Sequence, residues 1–420
     1  MTAGTVHIVG AGLAGLSTAT ILAGQGRTVA VYEAAPHAGG RCRTFWDPRL
    51  ERHVDNGNHL LLTGNRSARA YLDRIGGTER MEILPEAAFP FADLGDKTQW
   101  RVRLNAGPVP WWVTRPDRRI PGTGIMDYVR GAGLALAGAG RTVAEAIRDR
   151  GAIWTRFWEP LTLAALNTTP ERAAAPLLWK VLSETFARGA AHCRPMLAPR
   201  GLGTALVDPA VSYLARHGIE IAHDHALKGV TTGDGRLTAL HFANGHTVDL
   251  APEDHVVAAL PPTRLKSAMP WIDGPRDDAA ILNAHFVIDA PSRLDGLPPI
   301  TGLINSRTHW VFLKGDVVSL TISAADRLGV MDEAPDELLP ALWEETCLGL
   351  GLSGARYTAG RINKERRATI DQSPAECAKR PVARAGLANL TLAGDGTRTG
   401  LPATIEGAIR SGETAAKLAA

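Results

Sequence analysis

The start of the chain carries a strand, a glycine-rich turn, a helix and a second strand in close succession. Residues 5–9 read TVHIV, a short apolar strand, and GAGLAGLSTATILAGQG follows with its leucines at helical spacing. The next strand, RTVAVYE at 27–33, ends on an acid. The GxGxxG pattern falls at the strand–helix turn, where a dinucleotide fingerprint requires it. This arrangement predicts a dinucleotide-binding βαβ unit.

Each part of this unit has a predicted role. The first two glycines let the backbone approach a pyrophosphate, and the third lets the helix pack close to the strand. The helix N-terminus supplies N–H groups and the positive end of the helix dipole. The acid is expected to bind ribose hydroxyls, which argues against a bound 2′-phosphate. The predicted contacts from this unit are Gly10, Gly12, Leu13, Ala14, Gly15 and Glu33.

Length and composition exclude several classes of protein. A chain of 420 residues favours two domains, or one domain interrupted by another. The formal net charge is only +3, without blocks of like charge, so we expect no nucleic-acid partner. The four cysteines form no CxxC pair, which predicts no metal site and fits a reducing compartment. With no signal peptide and no run of ~20 apolar residues, a cytoplasmic protein is expected.

Two further segments narrow the fold. PHAGGRCRTFW at 36–46 follows the second strand, and simple nicotinamide dehydrogenases do not need a Gly-Gly-Arg there. NLTLAGDGTRTGLPATIEGAIRSG at 389–412 reads as a strand ending in Gly-Asp, then a helix with proline in its first turn. Together with the βαβ unit, these segments resemble the flavoprotein amine oxidase and carotenoid desaturase superfamily.

This resemblance implies FAD as the cofactor. In the superfamily the Gly-Gly-Arg loop lies along the FAD pyrophosphate, and the acid of the Gly-Asp pair contacts the ribityl or phosphate region. The final helix directs its N-terminus at the isoalloxazine ring, where its dipole stabilises negative charge on the reduced flavin. A mid-chain helix and strand series would contact the adenine edge. The residues implied are Gly39, Gly40, Arg41, Gly57, Asn58, Leu227, Ala259, Pro261, Gly394, Asp395, Ala403, Thr404 and Ile405, with Arg43 as a weaker candidate.

The implied fold class is α/β. A Rossmann-like FAD-binding domain of the amine-oxidase type is interrupted by a mixed α+β substrate-binding domain. The predicted FAD-binding domain is discontinuous and covers residues 1–85, 200–265 and 360–420. Residues 86–199 and 266–359 are predicted to form the substrate-binding domain.

Four segments indicate a particular branch of the superfamily. They are DNGNH at 55–59, FWEPLTLAALN at 157–167, PMLAPRGLGTALVDPAVSYL at 195–214 and TGLPATIEGAIRSG at 399–412. This set resembles the hydroxysqualene dehydroxylases, squalene-associated FAD-dependent enzymes of bacterial hopanoid pathways. The resemblance implies conversion of hydroxysqualene to squalene: loss of water would leave a delocalised allylic cation, and hydride from flavin N5 would quench it.

The segment HVDNGNHLLL at 53–62 places polar groups directly against a run of leucines, which suits an apolar substrate with one polar atom. By resemblance it passes close to the flavin ring, and Asn58 and His59 could reach a substrate hydroxyl. Loss of that hydroxyl needs a proton donor. His59 titrates in the appropriate range, whereas Asp55 could act only if burial strongly raised its pKa. Glu159 is a further candidate, and each of these residues has a purely structural alternative as a turn acid, core histidine or helix cap.

The stretch 111–140 combines two tryptophans with arginines and a small apolar run. It fits either a membrane interface or a surface hairpin and helix. Because the implied substrate must leave lipid, peripheral contact with the inner face of the cell membrane is an open expectation. Association with upstream squalene-pathway enzymes is a second open expectation.

Three rival functions remain open at this point. A carotenoid or phytoene desaturase-type enzyme would share the cofactor and an apolar substrate but run the reaction oxidatively. An amine oxidase usually places two aromatic rings about the substrate nitrogen, and AGDGTRTGLPATIE contains no aromatic residue. A non-catalytic FAD protein that binds a prenyl chain or a partner enzyme is the third. Lys314 is a minor candidate for holding a water at flavin N5, and the electron donor stays unassigned because no second GxGxxG is visible.

Overall fold

The protein is described by a computed structural model that covers residues 4–148, 150–276 and 278–420. The strands within these ranges are β1 Val6–Val9, β2 Val29–Tyr32, β3 Thr44–Asp47, β4 Arg52–Asp55, β5 Leu61–Leu62, β6 Glu82–Ile83, β7 Ala88–Asp93, β8 Gln99–Arg103, β9 Pro195–Leu197, β10 Ile221–Ala222, β11 Leu227–Gly233, β12 Arg236–Phe242, β13 Thr247–Asp249, β14 His255–Ala258, β15 Ala279–Ile288, β16 Ile300–Ile304, β17 Trp310–Lys314, β18 Val317–Ile322, β19 Tyr357–Thr369 and β20 Leu390–Leu392. The α-helices are α1 Leu13–Gly24, α2 Arg66–Ile75, α3 Ile125–Arg130, α4 Val143–Ala146, α5 Glu159–Leu166, α6 Ala175–Glu184, α7 Leu202–Leu206, α8 Asp208–Arg216, α9 Pro262–Ala268, α10 Pro335–Leu350, α11 Pro374–Ala378 and α12 Ile405–Ala419. Short 3-10 helices include Trp111–Thr114 and Gly131–Leu136, and Trp154–Trp158 is π-helical.

A parallel five-stranded sheet holds the two ends of the chain together, in the order β10-β2-β1-β14-β20. All four residues of β1 are buried, as expected for a parallel strand covered on both faces. The predicted α/β class and the predicted βαβ unit are therefore confirmed. The strands come from the start, the middle and the end of the sequence, so the sheet cannot form before distant segments meet.

Helix α1 packs against α12 at very short range. A side chain at Gly412 would place its Cβ 2.3 Å from the Ala14 carbonyl oxygen, so only glycine permits this approach. Ser17 donates a hydrogen bond to the Ile409 carbonyl, and Thr18 donates one to the Gly412 carbonyl. Helix α1 is buried nearly all round, which explains why its sequence is apolar on every face.

The second layer is a mixed seven-stranded sheet in the order β19-β15-β18-β17-β16-β7-β8. Side chains alternate between its faces, as the pleat requires. Val311 packs into the core beneath α10, while Phe312 on the opposite face points toward a cavity. A helical cap built from segments between residues 111 and 193 covers the cavity side with a second apolar cluster.

The predicted division into two domains can be compared with the sheets. Residues 200–265 and 390–420 contribute to or pack on the parallel sheet. The predicted boundary at 360 falls inside β19, which pairs with β15 over most of its length in the seven-stranded sheet. Because β19 is a long edge strand with many charged residues, its sequence gives little sign of which sheet it joins. The division itself stays a prediction.

Among the described residues, none of the helices has the length and apolar character needed to cross a membrane. The same part of the chain contains no group of three or more His, Cys, Asp or Glu side chains arranged to hold a metal.

Candidate active site

The glycine-rich turn after β1 gives each of its three glycines a different environment. Gly10 has φ +105°, in the left-handed region that favours glycine. A Cβ at Gly15 would lie 1.8 Å from the Gly10 carbonyl oxygen, so the helix could not pack against the strand. A Cβ at Gly12 would meet no described atom within 4 Å, and its backbone is extended. The turn therefore leaves open space at Gly12, beside the start of α1.

Glu33, just beyond the end of β2, folds back onto this turn. Its carboxylate accepts the backbone N–H of Ala11 at 2.7 Å and that of Ala35 at 2.9 Å. Leu13 and Ala14 form the first turn of α1, where both side chains are buried. The acid is thus fixed at the glycine-rich turn, the place where a ribose would have to lie.

The Gly-Gly-Arg loop lies against the same turn. Gly39 has φ +102° and donates its N–H to the Ala11 carbonyl at 2.8 Å. A Cβ at Gly40 would be 3.6 Å from the Gly12 Cα. Arg41 then reaches across to the far end of the chain: its guanidinium donates to Asp395 at 2.7 Å and to the Ala368 carbonyl. The two fingerprints predicted from opposite ends of the sequence are therefore joined by an ion pair.

The loop before α12 is held from several sides. Gly394 has φ +129°, and Thr404 caps the helix by accepting the Gly407 N–H at 3.1 Å. The N–H of Ala403 is bound by the buried side chain of Gln372 at 2.9 Å. Arg380, also buried, donates to the Leu401 and Asp395 carbonyls. Sequence reasoning missed both side chains, since neither lies in a motif.

The mid-chain residues assigned to the cofactor are divided between two places. Ala259 donates its N–H to Val9, and its carbonyl oxygen would lie 2.4 Å from a Cβ at Gly10, so it adjoins the glycine turn. Pro261 precedes α9. Leu227 begins β11 and packs against the cluster that contains Tyr32. Their proposed cofactor contacts stay predictions.

These residues fit a flavin dinucleotide. Among the described residues, α1 has neither a side-chain cap nor an acid in its first turn, so its N–H groups can donate hydrogen bonds to a pyrophosphate. Open space at Gly12, a carboxylate at Glu33 that can accept from ribose hydroxyls and a guanidinium at Arg41 that can donate to phosphate complete the expected chemistry.

A cavity of about 250 Å³ lies between the seven-stranded sheet, the helical cap and the loop before α12. Its wall is largely aromatic and aliphatic, with Leu60, Phe89, Phe157, Leu161 and Phe312 among its members. Asn58 and His59 reach it from one side, and Ala403, Thr404 and Ile405 from another. The polar-then-leucine segment at 53–62 thus supplies both polar groups and part of the apolar wall.

His59 presents its ring to the cavity. Among the described residues it has no side-chain hydrogen-bond partner, and Nε2 lies 3.8 Å from the position of a Cβ at Gly57. Burial lowers the pKa of His59 to about 4; the charge of Asp55 opposes this shift, and the charges of Arg41 and Lys314 add to it. The resting imidazole is therefore neutral and free to bind a ligand.

Asp55 is buried and does not line the cavity. One carboxylate oxygen accepts from the Thr44 hydroxyl at 2.5 Å and from the Leu202 N–H at 2.8 Å. The other accepts from the Lys314 ammonium at 2.5 Å. With both oxygens engaged by donors, the carboxylate is suited to fixing the backbone and the lysine rather than to releasing a proton.

Asn58 is held in one orientation by the sheet. Its amide nitrogen donates to the Leu320 carbonyl at 3.3 Å and to the Thr321 hydroxyl at 3.2 Å, and its oxygen accepts from Lys314 at 3.4 Å. Neighbouring Gly57 lies against Asn283, whose amide nitrogen would be 3.4 Å from a Cβ there.

The other carboxylates near the cavity either form ion pairs or lie outside its wall. Glu406 accepts the N–H groups of Ser67 and Ala68 at the start of α2 and is paired with Arg410. Hydrogen bonds from Arg410 lower the pKa of Glu184 to about 2. Glu159 does not line the cavity, although burial raises its pKa, with the charge of Glu171 adding to the shift.

Asn167, at the end of the FWEPLTLAALN segment, closes α5 in a left-handed conformation with φ +49°. Its amide donates to Thr369 at 2.9 Å and accepts the Ala324 N–H at 2.7 Å. The segment that most resembled one branch of the superfamily therefore joins the helical cap to the end of β19 and to the loop after β18, beside the cavity.

Comparisons with known proteins agree with this geometry. The family model for flavin-containing amine oxidoreductases matches residues 13–287 and 351–420. Among solved structures, an oxidoreductase from Methanosarcina mazei superposes with a TM-score of 0.71 at 14% identity, over 98% of this chain and 100% of that one. A putrescine oxidase triple mutant gives a TM-score of 0.71 at 16% identity, over 99% and 98%. At these identities the likeness shows the fold alone.

Similarity at the level of sequence is much closer to three enzymes. A hydroxysqualene dehydroxylase from Rhodopseudomonas palustris is 42% identical over 99% of this chain and 98% of its own length. Those from Sinorhizobium fredii and Zymomonas mobilis are 40% and 38% identical with similar coverage. The predicted family and the predicted FAD cofactor are confirmed. The chain belongs to the hydroxysqualene dehydroxylase family of FAD-dependent oxidoreductases, within the flavin-containing amine oxidoreductases.

Proposed function

We propose that this enzyme removes the hydroxyl group of hydroxysqualene reductively and releases squalene, for hopanoid or other triterpenoid biosynthesis. The observation that carries the proposal is the cavity, in which an apolar wall surrounds the imidazole of His59 beside the loop that precedes α12, and none of the described residues hydrogen-bonds to that ring. Sites for apolar ligands combine such walls with a few polar groups that fix orientation. The names of three relatives at 38–42% identity support the same substrate.

The reaction replaces a C–O bond by a C–H bond. The hydroxyl departs as water after gaining one proton, and the electron pair of a hydride forms the new bond to the allylic carbon. Reduced FAD, when bound, supplies the hydride. The protein has to bind the polyene, direct its hydroxyl, deliver the proton and keep bulk water away from the reacting carbon.

His59 is the proton donor in this proposal. The titratable side chains that line the cavity within the described residues are His59, Glu184 and Glu406. Both glutamates are paired with Arg410, and hydrogen bonds from Arg410 lower the pKa of Glu184 to about 2. An imidazolium with a pKa near 4 is a strong acid for its type, although only a small fraction of it exists at neutral pH.

Asn58, Lys314 and Asp55 act as positioning residues. The ion pair between Lys314 and Asp55 fixes the turn at 55–59, and the Asn58 amide is held against β18. His59 follows directly in the chain, so its ring is placed by a backbone that the sheet makes rigid. A catalytic group supported in this way loses little entropy when it engages the substrate.

An anaerobic single turnover tests the reaction and its direction. The bound flavin is reduced, hydroxysqualene is added, the oxidised-flavin absorbance is followed, and the lipid is extracted. We expect the absorbance to return with squalene as the product. Flavin that stays reduced beside intact hydroxysqualene would contradict the proposal, and oxidised flavin reduced by phytoene would favour the desaturase alternative.

We also infer that the enzyme works in the cytoplasm as a peripheral protein at the inner face of the cell membrane. The support is chemical, because substrate and product both partition into lipid. Association with the upstream squalene-pathway enzymes belongs to the same proposal, and co-purification of the untagged enzymes from membranes tests it.

A further inference from the structure

Part of the helical cap exposes apolar side chains in an unusual concentration. The apolar patch is defined here as Val109, Trp111, Ile125, Met126, Val129 and Leu136. Leu136 is 88% exposed, Val109 70% and Met126 62%. More than half of the large hydrophobic side chains that are exposed in the described part of the chain therefore lie between residues 109 and 136. Isolated exposed apolar residues need no explanation, but a concentrated group marks an interaction surface.

The patch is a surface of packed elements rather than a loose loop. Helix α3 contacts both the short helix Trp111–Thr114 and the helix Gly131–Leu136, and the rings of Trp112 and Tyr128 meet edge to face at 5.2 Å. Within α3, Ile125 and Met126 are adjacent, each lies about one turn before Val129, and all three are exposed. The protein therefore holds these side chains toward solvent on an ordered support.

Arginines surround the apolar side chains. Residues 109–141 contain five arginines and two aspartates, and no lysine or glutamate. The guanidinium of Arg118 stacks over the Trp111 ring at 5.1 Å. Arg115 pairs with Asp117 and Arg130 with Asp127, and the five arginines outnumber the two aspartates, so this segment carries an excess of positive charge. Tryptophan with a stacked arginine suits the boundary between acyl chains and anionic headgroups.

The patch is continuous with the substrate cavity. Trp112 and Leu134, directly beneath it, are buried in the same apolar cluster as Phe157 and Trp158. A Cβ at Gly131 would lie 2.3 Å from the Trp158 ring, so the contact leaves no gap. Phe157 in turn lines the cavity. Unbroken apolar material therefore links the surface to the site.

We propose that the apolar patch and its arginines dock the enzyme on an anionic lipid bilayer, with the helical cap facing the membrane. Its use in passing a polyene to the cavity rests on the proposed function; the docking itself does not. A second copy of the chain is a poorer occupant, because a self-complementary contact would set this positive surface against its own image.

Vesicle co-sedimentation of the full-length, flavin-loaded protein without substrate tests the docking. One vesicle population is an equimolar mixture of phosphatidylglycerol and phosphatidylcholine, and the other is phosphatidylcholine alone. We expect binding to the anionic vesicles, weakened at least tenfold on the neutral ones and by 0.5 M salt. The variant Trp111→Ala/Met126→Ser/Leu136→Ser should bind at least tenfold more weakly, and Arg118→Ser several-fold more weakly.

A matched control separates this surface from exposed hydrophobicity in general. Trp271, Leu328 and Leu348 are 52%, 48% and 64% exposed and lie outside the patch. The variant Trp271→Ala/Leu328→Ser/Leu348→Ser should bind vesicles like the wild type. Equal losses in the two triple variants, or no binding by the wild type, would overturn the proposal. So would a dimer in solution that only the patch variant dissociates.

The docking and the proposed function can fail separately. If the enzyme converts hydroxysqualene in detergent micelles but does not bind anionic vesicles, only the docking proposal is refuted. If it binds the vesicles but leaves hydroxysqualene intact, only the proposed reaction is refuted. If both hold, the patch variant should keep its rate with micellar substrate and lose it with substrate delivered in vesicles.

Discussion

Asp55 and His59 are four positions apart, but the first has polar surroundings and the second mainly apolar ones. Asp55 is enclosed by three donors, among them a lysine ammonium. His59 has an apolar cavity around its ring and no hydrogen-bond partner among the described residues. The sequence made both residues candidates for proton donation, and their contacts favour the histidine.

The pH dependence of the reaction should report on His59. Because burial lowers its pKa to about 4, the imidazolium fraction falls about tenfold for each unit of pH between 5 and 8. We expect kcat/KM to fall with rising pH over this range and the slope to vanish in His59→Ala. The measurement is a pH series of stopped-flow flavin oxidation.

His309 offers a matched control for this profile. Its pKa is likewise lowered to about 4, chiefly by burial, but it does not line the cavity and its Nδ1 accepts the Ser323 N–H. His309→Gln should keep the wild-type slope even if its rate is lower. A wild-type profile that is flat from pH 5 to 8 would remove His59 as the imidazolium donor.

The ion pair between Asp55 and Lys314 leads to a prediction about stability. Asp55→Asn leaves the lysine ammonium without its carboxylate in a largely buried position, so the free energy of unfolding should fall by about 3 kcal/mol. The double variant Asp55→Asn/Lys314→Met should recover part of that loss. Urea titrations of both proteins measure the difference, and a loss below about 1 kcal/mol in the single variant would contradict the assigned role.

This pair also shows what the sequence could not provide. Lys314 is 259 positions from Asp55, on a strand whose partners are set by sheet pairing rather than by local pattern. The sequence suggested Lys314 only as a minor candidate for holding a water. Gln372, which binds the Ala403 N–H, carried no signal at all, because a buried glutamine between two segments has no motif.

At the scale of elements, two glycines of the N-terminal strand–turn–helix have different roles, one in cofactor binding and the other in folding. In Gly12→Ala the new Cβ has no described atom within 4 Å, so the thermal midpoint of the flavin-free protein should change little. The added methyl group occupies the space that a pyrophosphate needs, and flavin binding should weaken at least a hundredfold.

Gly15→Ala should behave in the opposite way. Its methyl group would stand 1.8 Å from the Gly10 carbonyl oxygen, forcing α1 away from β1. We expect a loss of several kcal/mol in stability even without flavin. Differential scanning calorimetry of both flavin-free variants, with flavin affinity by fluorescence quenching, distinguishes the roles. Equal loss of stability in the two variants would contradict this division.

These elements were predictable because their signals are local. Residues 5–33 contain every part of the βαβ unit, and the observed β1, α1 and β2 lie within the predicted segments. The assignment of β19 was harder: its thirteen residues carry no simple alternation of buried and exposed positions, and only pairing with β15 decides its sheet. Local sequence fixes the type of such a strand better than its partners.

At the scale of the whole molecule, the site depends on contacts between the ends of the chain. Arg41 pairs with Asp395, and Gln372 links the Leu166 carbonyl to the Ala403 N–H. Three histidines, His59, His285 and His309, are enclosed when these layers close, and burial lowers the pKa of each to about 4. Global folding is therefore coupled to the protonation of residues in and around the site.

The sign of this coupling gives a prediction for the intact protein. Unfolded histidine binds a proton below about pH 6.5, whereas the folded protein resists protonation until about pH 4, so unfolding takes up protons in that window. Stability present above pH 6.5 should be lost as the pH falls toward 4, by roughly 1.4 kcal/mol per pH unit for each histidine. His285 is buried and its Nε2 has no described partner, so protonating its ring in the folded protein costs free energy.

Urea unfolding at pH 7.5, 6.5, 5.5 and 4.5 should show this loss of stability. The variant His285→Gln should reduce the slope of stability against pH by the contribution of one histidine. An unchanged slope in His285→Gln would mean that the acid sensitivity arises elsewhere, because carboxylates that titrate in the same window are common to both proteins and cancel in the comparison.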